Sequence, residues 1–362
     1  GMSEAEIVEA LHTFIVRDIN YSYVSFLNNN YVPKKPGATL SAKVGDCKDV
    51  ATLMITLLRQ HGIPAWYTLV STHNFSNRTP RPTPYVFNHA IVAWYSKDSI
   101  LHFADLTTDY FPTGILPGGD CGAWGLVIRN GEKQLVRLPD HALDPRLSSV
   151  ELYNRAVLDT DGNITLRVES TRTGVPAGQW RENLLPVGTE ERRKMLTTYF
   201  GGGTLHHLDL EKFEFDNLDS INRPLRASFT LRAFHQLDRV AHLYVMPIPL
   251  SFSTPTQKAL FAAKRYNDLD LDEFFELAPV RETLDLQLPA GYVVAELPAA
   301  KEINSRFGDY ALRFEKTPQG LRVQRRCALK MRFVQYTDFE DFRKFYLDIL
   351  DADDSFLALK KQ

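Results

Sequence analysis

The hydrophobic period of this chain switches from helical to alternating near residue 65, which restricts the front of the molecule to helices followed by strands. Ser3-Glu4-Ala5-Glu6 has the spacing of a capping box, and Ile7, Val8, Leu11, Phe14 and Ile15 follow at helical intervals. A second helix is predicted to start near Asp46. Its inward stripe is Val50, Leu53, Met54, Leu57 and Leu58, and His61-Gly62 with Pro64 ends it. Residues 28–45, with clusters of Asn and Pro, read as the loop between the two helices. Residues 65–72, 87–96 and 100–108 are enriched in Val, Ile, Tyr, Trp and Phe and read as strands. The front third is therefore an α+β unit.

Past Asp140 the pattern becomes one of hairpins. The clearest joins 150–158 to 164–169 around Asp161-Gly162, a dipeptide suited to turns that need positive φ. Further strands are expected at 225–234, 241–246, 283–288, 310–314 and 321–333, and helices at 190–199 and 338–350, the second closing the domain. With no internal repeat, this stretch predicts a β-sandwich or a curved antiparallel sheet. A length of 362 residues calls for more than one core. Pro139 and Pro145 mark the boundary, giving domains 1–142 and 143–362.

Composition removes several classes. With 44% hydrophobic and 24% charged residues the chain is globular rather than disordered. Lys plus Arg number 42 against 44 for Asp plus Glu, and a net charge of −2 offers no general attraction for nucleic acid or anionic lipid. The apolar stretches near 85–95 and 240–252 are too short and too interrupted to span a bilayer. Cys47, Cys121 and Cys327 are far apart and odd in number, which argues against a disulfide framework and a paired-cysteine zinc site. Gly1 before Met2 reads as the remnant of a cleaved tag, and the amphipathic stretch after it lacks the pattern of a signal peptide.

Gly45-Asp46-Cys47-Lys48-Asp49 carries the chemistry. It places a thiol in the first turn of a helix, where unpaired N–H groups and the positive end of the macrodipole favour an anion. A nucleophile wants that address. Any unpaired cysteine has a plain alternative as a buried filler, which is the reading for Cys121 and Cys327. Cys47 rises above it through Phe87-Asn88-His89 on one predicted strand and Asp105-Leu106-Thr107 on the next. In such a set the imidazole takes the thiol proton and later gives it to the leaving amine, while the carboxylate fixes the ring's tautomer. Strand register tests this. A three-residue loop at 96–98 pairs Tyr95 with Ser99 and puts Asp105 opposite His89, whereas an even loop throws the two side chains onto opposite faces.

Together with His61-Gly62-Ile63-Pro64-Ala65, these motifs resemble the bacterial transglutaminase-like superfamily. Leu288-Pro289-Ala290-Gly291-Tyr292 and Phe307-Gly308-Asp309-Tyr310 are similar to a β-rich region that follows such a core, so the resemblance covers most of the chain. A large β-rich domain that precedes the core in those proteins has no counterpart in this sequence. The resemblance implies a papain-like core, with helices packed on an antiparallel sheet, followed by a mostly antiparallel β domain with a C-terminal helix. It makes Cys47 the nucleophile, His89 the general acid/base and Asp105 the orienting carboxylate. Leu106 departs from it, since such proteins often carry proline there. The implied reaction is acyl transfer from an amide through a thioester, resolved by water or by an amine, on a protein or peptide, without metal or cofactor. A periplasmic or cell-surface location is implied as well. The other reading is a catalytically inactive module that binds or scaffolds protein or glycan, since the superfamily includes both.

Around this core, the backbone N–H of Cys47 and a donor from residues 21–30 are expected to meet the oxyanion. Asn88 is read as substrate-binding, with a structural alternative. Trp66, Tyr85, Trp94 and Trp124 either wall a cleft or sit in the core. Gly201-Gly202-Gly203 reads as a turn after a helix, His206-His207 as surface residues, and residues 159–163 as a hairpin turn rather than a calcium loop. Arg322, Arg325, Arg326, Lys330 and Arg332 are expected to form one solvated face.

Overall fold

A computed structural model of the protein describes residues 1–23, 32–73, 86–97, 99–252 and 254–362. The chain divides into two compact units: Gly1–Leu147 with the short segments Ala177–Glu182 and Ile221–Arg223, and the remainder.

The first unit runs α1 (Glu4–Asp18), β1 (Asn20–Tyr21), α2 (Pro36–Ala42), β2 (Val44–Gly45), α3 (Cys47–Gln60), β3 (Ala65–Ser71), β4 (His89–Tyr95), β5 (Leu101–Ala104), β6 (Trp124–Arg129) and β7 (Glu132–Arg137). The expected capping box starts α1: Ser3 N donates to Glu6 at 2.7 Å while the Ser3 hydroxyl accepts from Glu6 N at 3.4 Å. Strands β3 to β7 form one antiparallel sheet in the order β5-β4-β3-β6-β7. Val8 and Ile15 of α1, Leu53, Met54 and Leu58 of α3, and Val92, Trp94, Ala104 and Leu106 from the sheet side share one buried cluster. The two helices therefore lie on one face of the sheet and bury their apolar stripes there. One expectation fails in this unit. Residues 36–42, read as loop, form α2, because proline at a first helical turn gives up an N–H that has no intrahelical partner. The turn into β2 then needs Lys43 at φ 52°. A parallel pairing of Tyr21 with Gly45 ties the end of α1 to the start of α3.

In the second unit an eight-stranded sheet runs in the order 208–216, 225–233, 164–173, 149–158, 280–287, 320–329, 308–317 and 301–304. Every pairing is antiparallel except that of 149–158 with 280–287. The predicted hairpin is present, with Leu158 opposite Ile164 and Gly162 at φ 81°. Its turn engages the Asp159 carboxylate, which accepts from the N–H groups of Asp161 and Asn163, both at 2.9 Å. Helices occupy Thr189–Gly201 and Phe339–Asp353, close to the predicted spans. The second does not end the chain: strand Phe356–Lys361 follows it and pairs with Leu243–Pro247 and Tyr292–Glu296. The helix Gly174–Leu184 was not expected.

The basic run at 322–332 is not one solvated face. On strand Gly320–Leu329, Arg325 lies in phase with Leu321 and Val323 and is buried with them. Its Nε donates to Asp353 Oδ1 at 2.8 Å and a second guanidinium nitrogen to Thr254 Oγ1 at 3.0 Å. Glu282, 3.7 Å from the guanidinium, accepts from Ser251 N at 2.6 Å and from Asn154 Nδ2 at 2.5 Å. Arg332 is buried too and meets Asp272 at 2.7 Å. Arg322 and Lys330 stay nearer the surface, on Asp285 and Asp309.

Candidate active site

Cys47 is the first residue of α3, and the turn that carries it is fixed from several sides. Asp46 caps the helix by accepting from Lys48 N at 3.0 Å and Asp49 N at 3.2 Å, while Asp49 accepts from Asp46 N at 3.2 Å. Burial pushes the Asp49 carboxyl up, but bonds from Lys34 and Asp46 outweigh it and hold the group below its usual range. Lys48 and Asp46 form a buried ion pair at 2.5 Å. From β3, the Tyr67 hydroxyl donates to Lys48 O. A Cβ on Gly45 would stand 2.8 Å from Asp49 Cβ and 3.0 Å from Thr39 Cγ2, so this position admits only glycine without displacement. Cys47 itself is 3% exposed and packs with Ala90, Tyr67 and Leu69.

His89 opens β4 opposite Val70 of β3. Along β4 and β5, Tyr95 pairs with Leu101 and Val92 with Ala104. The connection is odd, as expected, but spans 96–100 rather than 96–98, with Ser99 at φ 64°. The odd parity keeps His89 and Asp105 on one face, and the two-residue displacement makes them diagonal rather than opposite neighbours. Asp105 lies just past the end of β5. Thr107 N and Oγ1 both donate to Asp105 Oδ1 at 2.9 Å. From α1, His12 spans the Asp105 carbonyl at 3.2 Å and the Thr113 hydroxyl at 3.1 Å. His89 Nε2 stands 3.2 Å from Asp105 Oδ2. With Nε2 turned to the carboxylate, Nδ1 is the ring nitrogen left over, and the Cys47 side chain is near enough to add to the proton affinity of the imidazole.

Sequence reasoning missed a second carboxyl. Asp120 Oδ2 lies 3.8 Å from His89 Nε2, and the residue is 2% exposed. Its loop is pinned by Asp120 N to Pro117 O at 3.0 Å, by His73 N to Gly119 O at 3.0 Å and by Leu116 N to His141 Nδ1 at 3.0 Å. Nothing periodic marks this Pro-Gly-Gly stretch, and only the acid beside Cys121 signals it. Burial alone would depress the His89 imidazole, but the charge of Asp105, with that of Asp120 whenever it is ionised, outweighs it and holds it well above its usual value. Burial also pushes Asp105 up, and His89 with Thr107 brings it back below the usual carboxylate range. Asp120 goes the other way. Burial and the neighbouring Asp105 push it up to about 7 despite the opposing charge of His89. Ligand atoms of the three residues lie within 4.8 Å of one another, but the imidazole–carboxylate contact engages the same atoms, so the cluster reads as a proton-sharing group.

The predicted substrate residues separate. Asn88 turns its amide on Thr72, accepting from Thr72 N at 3.0 Å and donating to Thr72 Oγ1 at 2.9 Å, which closes the end of β3 against β4. That is its structural alternative. Trp66 pairs with Ala93, and Trp94 with Ala65, four and five positions along the strands from the Val70–His89 pair, about 13–17 Å away. Trp66 packs edge-on to Tyr95 under Arg129. Trp94 stacks on His102 and lines a separate cavity of about 620 Å³. Neither walls the Cys47 site, because both lie toward the far end of the strands from the Val70–His89 pair. Trp124 alone remains near. It pairs with Ser71, on the face where Leu69 and Tyr67 meet Cys47, under Arg137 at 4.3 Å. Tyr85 and most of the 21–30 region lie outside the described residues. Tyr21, at its edge, has its phenol raised by burial and further by Cys47 and Asp105.

A family model described as the transglutaminase-like superfamily matches residues 1–99, which includes Cys47 and His89 and stops short of Asp105. Another, described as a domain of unknown function with solved structure, matches residues 241–359. No curated protein matches the chain. A crystal structure of a candidate protease from Parabacteroides distasonis ATCC 8503 is similar over 99% of this chain and 52% of its own, with a TM-score of 0.55 at 11% identity. The chain thus spans about half the length of that protein, and the likeness is one of fold. Among the described residues no helix is long and apolar enough to cross a membrane. The mixed architecture and the family match agree for the front of the chain: residues 1–99 match the transglutaminase-like superfamily, and the fold they begin is of that kind.

Proposed function

We propose that the first unit is a cysteine-dependent acyl-transfer enzyme that acts on amide bonds of a protein or peptide. The observation that carries this reading is the imidazole of His89, held by Asp105 at 3.2 Å, with a thiol in the first turn of a helix near enough to add to its proton affinity. In this reading Cys47 Sγ attacks the amide carbon while its proton sits on His89. The tetrahedral oxyanion is met by the backbone N–H of Cys47. As the C–N bond breaks, His89 gives its proton to the leaving amine and a thioester remains. Water or an amine then transfers a proton to His89, attacks the thioester and frees the thiol. Asp105 keeps the ring oriented and stabilises the imidazolium. The raised proton affinity of the imidazole suits a group that takes up and holds a proton during the reaction. Trp124 borders the acyl side.

Thiol alkylation at pH 6 tests the first step. Cys47 reacts much faster than Cys121 and Cys327, and the excess disappears in His89→Ala; equal slow rates at all three would leave only the fold. Turnover of peptide and glutamine-amide substrates by wild type and Cys47→Ala, with and without added amine, then separates hydrolysis from cross-linking.

A further inference from the structure

The second carboxyl beside His89 has a role of its own. Asp120 reaches the site from a loop pinned at Pro117, Gly119 and Leu116, an investment in aim that a space-filling residue does not need. Its Oδ2 is buried, beyond hydrogen-bond reach of His89 Nε2 at 3.8 Å, and has no hydrogen-bond partner among the described residues. An ionised oxygen in that position would bear its desolvation penalty with no hydrogen bond to offset it and only the His89 charge opposing it. A protonated one has a partner at hand, because a carboxylate oxygen of Asp105 lies within 4.8 Å in the same buried cluster and the two side chains act on each other. Asp105 is the better anion of the two, since it already accepts from Thr107 N and Oγ1 and faces the imidazole at 3.2 Å.

We propose that Asp120 is a positioning residue that keeps a proton and donates it as a hydrogen bond to Asp105, so that His89 faces one negative charge rather than two. This rests on the acyl-transfer reading for its meaning but not for its test. Loss of that proton to solvent adds a second charge beside the imidazole. The imidazolium then becomes a poorer acid toward a leaving amine. The groups facing the pair are His89 from β4, Cys47 from α3 and Tyr21 from β1. Glu182, in the segment 177–182, adds to the negative field at Asp105, and His12 touches only the Asp105 carbonyl. The balance falls on Asp120, whose carboxyl is pushed up to about 7, while Asp105 is pulled down.

Nitrogen-15 histidine NMR provides the test, with His89 assigned by its loss in His89→Ala. In wild type the His89 ring signals move through a transition near neutrality, and in Asp120→Asn that transition is gone. A transition that persists unchanged in Asp120→Asn overturns the proposal. Alkylation of Cys47 by iodoacetamide at pH 6 tests the hydrogen bond: Asp120→Ala is roughly tenfold slower than Asp120→Asn, whose amide still donates to Asp105. Equal rates for the two variants overturn it. Should either variant fail to fold, aspartate-selective carbon-13 NMR of wild type decides. One aspartate carboxyl must titrate together with the His89 ring, and its absence overturns the proposal. If Cys47 proves no more reactive than Cys121 while that carboxyl does titrate, the acyl-transfer reading fails and the shared proton stands.

Discussion

Two buried charge clusters in this protein have the same stoichiometry, two carboxyls around one base, and opposite characters. Around Arg325 the guanidinium is spread over Asp353, Thr254 and the Phe252 carbonyl, and Glu282 is occupied by Ser251 and Asn154. Around His89, one ring nitrogen meets Asp105, the other is left over for the thiol of the proposed reaction, and Asp120 Oδ2 has no hydrogen-bond donor among the described residues. Arginine cannot give up its proton under any ordinary condition, whereas histidine does so within the physiological range. The first cluster therefore holds structure and the second can pass protons. What separates them is the identity of the base and how completely its partners are satisfied, not the amount of buried charge.

The strongest way to break this comparison is Arg325→Met. Removing the fixed cation strands Asp353 and should cost about 3–5 kcal/mol in urea unfolding, with Cys47 alkylation unchanged in the folded protein. Pairing it with Asp353→Leu should recover most of the loss, and a double variant as unstable as the single would show that the cluster is not organised around that ion pair. His89→Ala should lower Cys47 alkylation at pH 6 about 100-fold, equivalent to about 2.7 kcal/mol, with a smaller effect on unfolding. A next test sharpens the contrast through pH. Asp120 binds its proton more tightly folded than unfolded, so its contribution to stability is lost as pH rises from the unfolded range of about 4 through about 7. Asp120→Asn should therefore gain on wild type by several °C in melting temperature between pH 5 and pH 8, at roughly 2–4 °C per kcal/mol. A constant difference across that range would mean that the carboxyl is ionised throughout. Asn88→Ala should cost about 0.5–1.5 kcal/mol, the value of its bonds to Thr72, and leave relative rates among substrates unchanged.

Much of the site was legible because its signals are local. The helix start near Asp46 and the apolar stripe of α3 are short-range patterns, and the structure forms them as read; the reciprocal capping of Asp46 and Asp49 is equally local and went unread. Strand parity was legible too, since only an odd connection leaves His89 and Asp105 on one face, but loop length was not, because Ser99 at positive φ lets the turn take two more residues. Asp120 was invisible: an irregular loop has no period, and its aim comes from bonds to His73 and His141, distant in sequence. Trp66 and Trp94 were overread because residue type says nothing about which end of a strand a ring occupies. Arg325 was misread for a related reason. Charge suggested solvent, while alternation with Leu321 and Val323 decided its side of the sheet.

Gly45 carries an evolutionary consequence. The space its missing side chain leaves is filled by Asp49 and Thr39, so any replacement that brings a Cβ there would drive a wedge between the start of α3 and its own cap. A lineage can abandon the reaction by changing Cys47 and keep its architecture. A change at Gly45 would instead retire the thiol by swinging it aside, leaving every reactive group in the gene and none of them aligned.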